Sequence, residues 1–316
     1  MWSFAGVSRV MYTSESLKEI TKNDFDKAYQ KAMFSRILSR LKGENNTLFS
    51  FEEVMKMLKV KNEVYIGLQC VRIEEIIGSE GRYNDFNKEF LPRRKNLRIR
   101  WQRVDEAHYQ DIILPPIKLY RLGNAYFVRD GNHRVSVAKE QGREFIDAEV
   151  TEIKTTIPIT ADMTRKDLVR IVVEHERQSF LEFTKLDELC DASLLWFTES
   201  GRYDLILQHI HGHQYYMGIE QNRPIPFDYA VKDWYNMIFV PIIEEICKEK
   251  ISSRFPGRTE ADLYLWIVLY WDELKRQYGE NVRIKDAVKS YNENYGENPI
   301  LYYLKRIINI FLRRNK

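Results

Sequence analysis

The segment formed by residues 117–130 constrains the fold more than any other part of the sequence. Residues 117–122 have the apolar and β-branched pattern of a strand, and Gly123-Asn124 has the composition of a two-residue hairpin turn. Residues 125–128 then predict the returning strand, and this hairpin ends at Asp130. A chain with this segment is therefore expected to contain a sheet with an acidic residue at one strand end.

The residues that follow predict a tight bend into a helix. Gly131 permits the bend, the helix packs its apolar side inward, and Gln141-Gly142 supplies a C-terminal stop. Residues 145–153 then resume as a strand. The predicted order is strand, turn, strand, Asp-Gly bend, helix and strand.

This Asp-Gly bend predicts an anion site, because a helix that begins directly after a glycine presents free backbone N–H groups and its positive dipole end. Arg134 offers a planar guanidinium, His133 a hydrogen bond or a proton, and Asn132 a helix cap or a ligand contact. Asp130 would repel a phosphate, so it indicates a bridging Mg²⁺ or a base for a hydroxyl. The alternative is a helix cap, with Arg134 in a surface salt bridge.

Residues 128–142, Val-Arg-Asp-Gly-Asn-His-Arg-Val-Ser-Val-Ala-Lys-Glu-Gln-Gly, resemble the phosphate-binding box of the ParB/sulfiredoxin superfamily. That superfamily covers ParB CTPases, sulfiredoxin, the free serine kinase and ATPases of DNA modification. The resemblance implies a phosphate-binding set formed by Gly131, Asn132, His133 and Arg134, with ATP or CTP as the ligand. By the chemistry of their side chains, Asp130 and His133 are the candidate catalytic residues, with Asp130 as the Mg²⁺ ligand or as a base.

The box departs from two branches of that superfamily. Sulfiredoxin has a catalytic cysteine where this chain has Asn132, which excludes sulfinic-acid reduction. ParB has a Gly-Glu-Arg-Arg version of the box, which this chain lacks. The Asp-Gly-x-His-Arg form is closer to the kinase and ATPase branches, so hydrolysis and phosphoryl transfer both stay open.

The resemblance extends to both sides of the box. Residues 71–92 resemble the first half of the module, which implies a second ligand segment formed by Gly78, Ser79, Arg82 and Asp85. The bland alternative is a loop shaped by glycines, in which Arg82 pairs with Asp85. The chain from Leu181 through residues 255–267 resembles a helical domain of no known activity that accompanies ParB-like modules in bacteria.

A basic run supplies the best nucleic-acid signal in the chain. Because Lys and Arg exceed Asp and Glu by only 49 − 46 = 3, net charge alone does not argue for nucleic acid. A local cluster has the density of a groove that follows a phosphate backbone, with Trp101 inside it: Arg93, Arg94, Lys95, Arg98, Arg100 and Arg103. The alternative is a solvated basic loop, or one that pairs with acidic helices.

These patterns predict an α+β fold of three parts. Residues 1–60 form an N-terminal helical hairpin, and residues 61–158 form a small mixed-sheet ParB/sulfiredoxin-like module. Residues 159–316 form a mainly helical domain, and Thr164 and Asp167 are a capping pair near its start. Three widely spaced cysteines fit a reducing compartment, and no apolar window is long enough to span a bilayer. We expect a cytoplasmic protein without a membrane partner.

Several familiar sites are absent from the sequence. No glycine is followed by lysine, which excludes a GxxxxGK phosphate loop, and no Gly-x-Gly occurs, which excludes the Rossmann fingerprint. His209, His211 and His213 lack a third ligand at a familiar offset, so ordinary buried or capping histidines are the favoured interpretation.

The sequence favours a nucleotide-binding ParB-like protein in a regulatory or DNA-associated role. One alternative is a non-enzymatic DNA-binding transcriptional regulator, in which the box around Asp130 is only architectural. Another is a ParB-like nuclease with Asp130 as a metal ligand, although a single evident carboxylate argues against two metals. The sequence does not determine the oligomeric state.

Overall fold

A computed structural model describes residues 13–42, 45–60, 62–278 and 283–295. The chain divides into two compact units, Met1–Leu168 and Val169–Lys316. Residue 61, at a predicted domain boundary, and residues 296–316 of the predicted helical domain lie outside the described residues.

The first unit is built on a six-stranded mixed sheet. Its strands are β1 (Phe49–Ser50), β2 (Glu63–Arg72), β3 (Ile76–Ser79), β4 (Ile117–Leu122), β5 (Ala125–Asp130) and β6 (Phe145–Ile153). They lie in the order β1-β3-β5-β4-β6-β2. β4 and β5 form an antiparallel hairpin, as predicted, and β3 runs parallel to β5 at the centre. The parallel β3–β5 pair places the ends of β3 and β5 at the same edge of the sheet.

Four α-helices belong to the first unit: α1 (Ser14–Leu41), α2 (Phe51–Leu58), α3 (Arg98–Tyr109) and α4 (Asn132–Glu140). Short 3-10 helices span Ile73–Glu75 and Lys95–Leu97. Thr13 and Ser50 cap α1 and α2, each by accepting a backbone N–H with its hydroxyl oxygen. The helix, bend and strand predicted after Asp130 are confirmed by α4 and β6.

Helices α1 and α2 belong to the same unit as the sheet. α1 packs against α3, where the rings of Phe25 and Trp101 meet edge to face with centroids 5.7 Å apart. α2 follows directly on β1, and the Phe51 ring stacks on Tyr120 of β4 at 4.2 Å. Both helices therefore contribute to the core that supports the β4–β5 hairpin.

The second unit is helical, as predicted. Its helices are α5 (Arg165–Thr184), α6 (Leu186–Leu189), α7 (Arg202–Gln221), α8 (Phe227–Trp234), α9 (Val240–Lys248), α10 (Glu260–Tyr278) and α11 (Ile284–Tyr295), with a π-helix at Tyr235–Phe239. The predicted capping pair at the start of α5 is confirmed, because Thr164 Oγ1 accepts the Asp167 N–H at 3.2 Å and Asp167 Oδ2 accepts the Thr164 N–H at 3.1 Å.

Candidate phosphate-binding site

The Asp-Gly bend lies at the junction of β5 and α4. β5 ends at Asp130, Gly131 occupies the N-cap position with a φ of 108°, and α4 begins at Asn132. This left-handed φ favours glycine, and a Cβ at this position would lie 2.4 Å from Cγ2 of Ile117. The site thus requires glycine for both its backbone conformation and its close packing on β4.

Arg134 is held by three oxygen atoms of its own unit. Its NH1 group donates to the backbone carbonyls of Pro115 and Pro116, and its NH2 group donates to Asp130 Oδ2 at 2.7 Å. The guanidinium has five N–H donors in a fixed plane, so these bonds leave part of the fork for a ligand. Arg134 therefore lies at the predicted phosphate-binding site and also holds the loop at residues 115–116 in place.

Asn132 and His133 are both buried, at 5% exposure, yet each has a polar atom without a partner in the described structure. The atoms are Oδ1 of Asn132 and Nδ1 of His133. Leaving a buried polar atom unpaired costs about 1 to 3 kcal/mol, so both atoms favour a hydrogen-bonding partner: Asn132 Oδ1 can only accept, whereas His133 Nδ1 can donate or accept according to its tautomer.

The protonation state of His133 follows from its surroundings. Burial, followed by the positive charges of Arg100 and Arg82, lowers the pKa of His133 to about 4, with Asp85 opposing the shift. The edge of the ring also meets Phe86, with centroids 5.4 Å apart. His133 is consequently neutral at pH 7, so it can donate one ring N–H but does not bring a positive charge.

These residues line one cavity of about 440 Å³ in the first unit. Its charged lining residues are Glu80, Arg82, Arg100, Arg129, Asp130 and Arg134, and its remaining lining residues are Val104, Leu114, Pro115, Gly131, Asn132 and His133. Four guanidinium groups against two carboxylates give the cavity a net positive charge. The cavity thus combines a helix N-terminus with an arginine cluster, and these two features favour an anionic ligand.

The predicted second ligand segment reaches the cavity through Arg82. Gly78 is a packing position, since a Cβ there would lie 2.3 Å from Cδ1 of Phe127. Ser79 is buried, and its hydroxyl donates to the backbone carbonyl of Val128 at 3.3 Å. Asp85 lies beside the site and pairs with Arg82 at 3.1 Å. Gly78 and Ser79 thus join β3 to β5, and Arg82 reaches the ligand space.

The basic run is divided among several environments. Arg100 lines the cavity, whereas Arg98 pairs with Asp26 of α1 and Arg94 pairs with Asp85 at 3.1 Å. The remaining cations of the run also differ: Lys95 lies over the Tyr29 ring, Arg93 donates to the carbonyl of Asn84, and Arg103 is exposed on α3.

Trp101, which the sequence places within the basic run, does not lie on the protein surface. It is fully buried, and its Nε1 donates to the Ser136 hydroxyl of α4 at 2.9 Å. Its ring fills the core between α1 and α3, so it cannot receive a nucleotide base. The tryptophan instead positions α3 against α4, which brings Arg100 to the cavity.

Three charged residues of the cavity were missed as phosphate-site candidates: Glu80, Arg100 and Arg129. Glu80 and Arg129 each adjoin a residue that the sequence did single out, Ser79 and Asp130. The sequence could therefore have indicated Glu80 and Arg129 as site residues through their position next to Ser79 and Asp130. No neighbouring site residue indicated Arg100, because its position at the cavity depends on how α3 packs.

Within the part of the chain that the structure describes, no group of three or more His, Cys, Asp or Glu side chains could hold a metal ion. The histidines of α7 have other surroundings. His213 Nε2 lies 2.7 Å from Asp233 Oδ2, His211 stacks on Phe227, and His209 meets the Tyr264 ring. Each of the three histidines thus has an aromatic ring or a carboxylate as its neighbour.

Comparison with protein-family models and with curated protein sequences gives no match to this chain. The resemblance to the ParB/sulfiredoxin superfamily therefore stays a prediction. Across the residues that the structure describes, every helix is too short or too polar to cross a lipid bilayer.

Proposed function

We propose that this protein binds the phosphates of a nucleotide, ATP or CTP with Mg²⁺, in the cavity at the start of α4. The observation that carries this proposal is the helix N-terminus at Gly131 in a cavity that four arginines line, beside the buried, unpartnered ring nitrogen of His133. The ParB/sulfiredoxin-like box predicted from residues 128–142 supports the same ligand class.

The phosphates would lie against the backbone N–H groups at Gly131 and Asn132, where the helix dipole is positive. Arg82 and Arg100 line the same space from the loop after β3 and from α3, and each can donate charge-assisted hydrogen bonds. Arg129 also lines the cavity, but its guanidinium lies over the Tyr120 ring, 5.5 Å from the ring centroid. The neutral imidazole of His133 supplies an uncharged N–H donor, so phosphate binding should not depend on its titration above pH 5.

The residues present fit a magnesium ion only together with the nucleotide. Glu80 and Asp130 are the two carboxylates that line the cavity. Mg²⁺ commonly takes one or two carboxylates and completes its coordination with phosphate oxygens and water. Asp130 and Glu80 would hold the ion, which would offset the repulsion between these carboxylates and the phosphates.

Asp130 is also the residue to which we assign turnover. Its side chain is 56% exposed at the cavity and pairs with Arg134 among the described residues, so the carboxylate is accessible to an attacking hydroxyl. A carboxylate in this position can accept the proton of a water or of an acceptor alcohol. Mg²⁺-dependent hydrolysis and phosphoryl transfer share this step. They differ in the group that receives the phosphoryl group, which is water in hydrolysis and an alcohol in transfer.

A regulatory or DNA-associated role in the cytoplasm completes the proposal. It rests on the resemblance, on the exposed residues Arg94 and Arg103 and on the half-buried Arg93. The basic run is dispersed: Arg100 lines the cavity, and Arg98 pairs with Asp26. This dispersal favours a nucleotide-binding protein over a purely DNA-binding regulator. The two cavity carboxylates would also suit the metal site of a nuclease. The four lining arginines instead favour a pre-formed site for the phosphates of a nucleotide.

A thermal-shift screen tests the proposal. ATP, ADP, CTP, GTP and inorganic triphosphate would each be titrated with and without Mg²⁺, because a ligand that binds only the folded state raises its apparent stability. We expect one nucleoside triphosphate to raise the melting temperature more than inorganic triphosphate does. A flat response to all five ligands would contradict the proposal.

A further inference from the structure

The C-terminal half of α1 exposes an apolar surface that the nucleotide site does not use. Five large side chains form it, and we call this set the α1 strip: Met33 (42% exposed), Phe34 (68%), Ile37 (53%), Leu38 (47%) and Leu41 (80%). The five side chains recur at spacings of three and four residues, which places them on one side of the helix. Large apolar patches on a folded protein commonly mark interaction sites.

The α1 strip faces away from the core of its own unit. α1 packs into that core through Phe25 and Ala28, and Ala32 is buried on the same side. Because successive residues of a helix are rotated by about 100°, the strip and these buried residues lie about half a turn apart. The strip is therefore a second apolar face, which the core of the first unit does not require.

Cations flank the α1 strip on both sides. Exposed Arg36 and Arg40 lie along one side, near Arg93 and Arg94. Burial lowers the pKa of Arg93, and the positive charges of Arg36, Arg94 and Arg40 lower it further. Lys31, Lys42 and Lys88 lie along the other side. Lys31 pairs with Glu140 at 2.5 Å and Arg94 with Asp85 at 3.1 Å, and these pairs offset only part of the positive charge.

A groove of about 600 Å³ runs beside the strip. Its lining includes Phe34, Leu38, Ser39, Lys42 and Lys88, together with Glu89, which accepts a hydrogen bond from Asn87. A concave surface of this kind receives a rod-shaped partner, whereas a flat bilayer would contact only its rims. The shape favours an α-helix laid along α1.

We propose that the α1 strip and its groove dock an amphipathic helix of another protein, with an apolar seam flanked by carboxylates. The seam would cover Phe34, Ile37 and Leu41, and its carboxylates would meet the cations on both sides. Electrostatic complementarity of this kind sets the choice of partner and the association rate.

A second copy of this chain fits the surface less well. Antiparallel pairing centred on Ile37 would bring Lys31, Arg36, Arg40 and Lys42 of one copy beside the same four residues of the other. Like charges across an interface are unfavourable, and both copies would contribute only cations here. A nucleic acid would satisfy the cations but would leave the five apolar side chains exposed.

The test uses the full chain and two synthetic fluorescent peptides. Each peptide is about three heptads long with leucine at its seam positions, and the flanking positions carry glutamate in one peptide and lysine in the other. The double variant Phe34→Ser, Leu41→Ser removes the two most exposed strip residues, and Ile113→Ser, at a position 95% exposed elsewhere, is the matched control. Fluorescence anisotropy measures binding of both peptides.

We expect the glutamate peptide to bind wild type at least about tenfold more tightly than the lysine peptide does. The double variant should lose about tenfold in affinity, and the control should bind as wild type. Failure of the glutamate peptide to bind, or equal binding to the double variant, would overturn the proposal. So would strip-dependent binding to phosphatidylserine vesicles alone, or a dimer in light scattering that the double variant abolishes.

Discussion

Arg134 and Asp130, one at the start of α4 and the other at the end of β5, are joined by a hydrogen bond of 2.7 Å between NH2 and Oδ2. The same guanidinium holds the carbonyls of Pro115 and Pro116, which precede β4. One side chain thus links both strands of the hairpin to the helix that carries the phosphate site. Its loss should affect the fold as well as the ligand.

Arg134→Ala is expected to lower the free energy of unfolding by about 2 to 4 kcal/mol, because it leaves two carbonyls and a carboxylate without their donor. Arg134→Lys should recover little of this, since a single ammonium cannot reproduce the planar fork. Urea denaturation measures both variants. A denaturation midpoint equal to that of wild type would show that Arg134 has no structural role.

Gly131→Ala is expected to destabilise the protein by about 2 to 4 kcal/mol, because the new Cβ would combine an unfavourable φ with overpacking against Ile117. Gly142→Ala is the matched control. Gly142 also has a positive φ, of 70°, but no heavy atom lies within 4 Å of a Cβ built there. We expect the control to lose only about 1 kcal/mol, and equal losses in thermal denaturation would argue against close packing at Gly131.

Asp105 of α3 provides a pH-dependent prediction. It is buried, its Oδ1 accepts a hydrogen bond from Gln141 at 2.7 Å, and its Oδ2 has no partner in the described structure. Burial raises the pKa of Asp105 to about 7; the Gln141 hydrogen bond opposes this shift, whereas the nearby carboxylates of Asp24, Glu106 and Glu140 add to it. The folded state therefore retains a proton that the unfolded state loses near pH 4.

The contribution of Asp105 to stability should consequently fall as the pH rises from about 4 to 7, the window between the unfolded and folded pKa values of Asp105. Asp105→Asn mimics the protonated carboxyl and should raise the free energy of unfolding by about 2 to 4 kcal/mol at pH 8, with little change at pH 4.5. His133 contributes the opposite slope below pH 6.5 in both proteins and cancels from the difference. A variant less stable than wild type at pH 8 would contradict this account.

Asp130→Asn should separate turnover from affinity. The amide oxygen can still accept from Arg134, whereas the charge needed to take a proton or hold Mg²⁺ is gone, so phosphate release should fall at least about a hundredfold. Affinity for the metal-free nucleotide should stay level or rise, because a repelling charge has been removed. Asp147→Asn, at an exposed position of β6, is the control. Absence of turnover in wild type with every nucleotide would leave a binding module without enzymatic activity.

The part of the fold that the sequence predicted is the part set by local patterns. The hairpin before Asp130, the bend at Gly131 and the helix after it follow from turn chemistry, a positive φ and helical periodicity, all within 40 residues. The positions of Gly131, Asn132 and His133 at one cavity could be predicted for the same reason. Burial of the two polar side chains adds a feature that sequence spacing does not show.

The arginine cluster was beyond the sequence because it depends on long-range packing. Arg100 reaches the cavity only because α3 is fixed against α4 by the Trp101 to Ser136 hydrogen bond, across 35 positions of sequence. In the sequence Trp101 lies among the cations of a predicted surface groove, whereas in the structure its side chain is fully buried. A charge run does not reveal which of its members turn inward.

Calorimetric titration with the Mg²⁺-nucleotide that gives the largest thermal shift tests the central claim most directly. It would compare wild type, Arg100→Ala and Arg103→Ala, two exposed arginines one turn apart on α3 of which only Arg100 lines the cavity. Loss of a charge-assisted phosphate contact should weaken binding by about ten- to a hundredfold in Arg100→Ala, with Arg103→Ala within about twofold of wild type. No binding to wild type, or equal affinity in all three proteins, would contradict a nucleotide site at the start of α4.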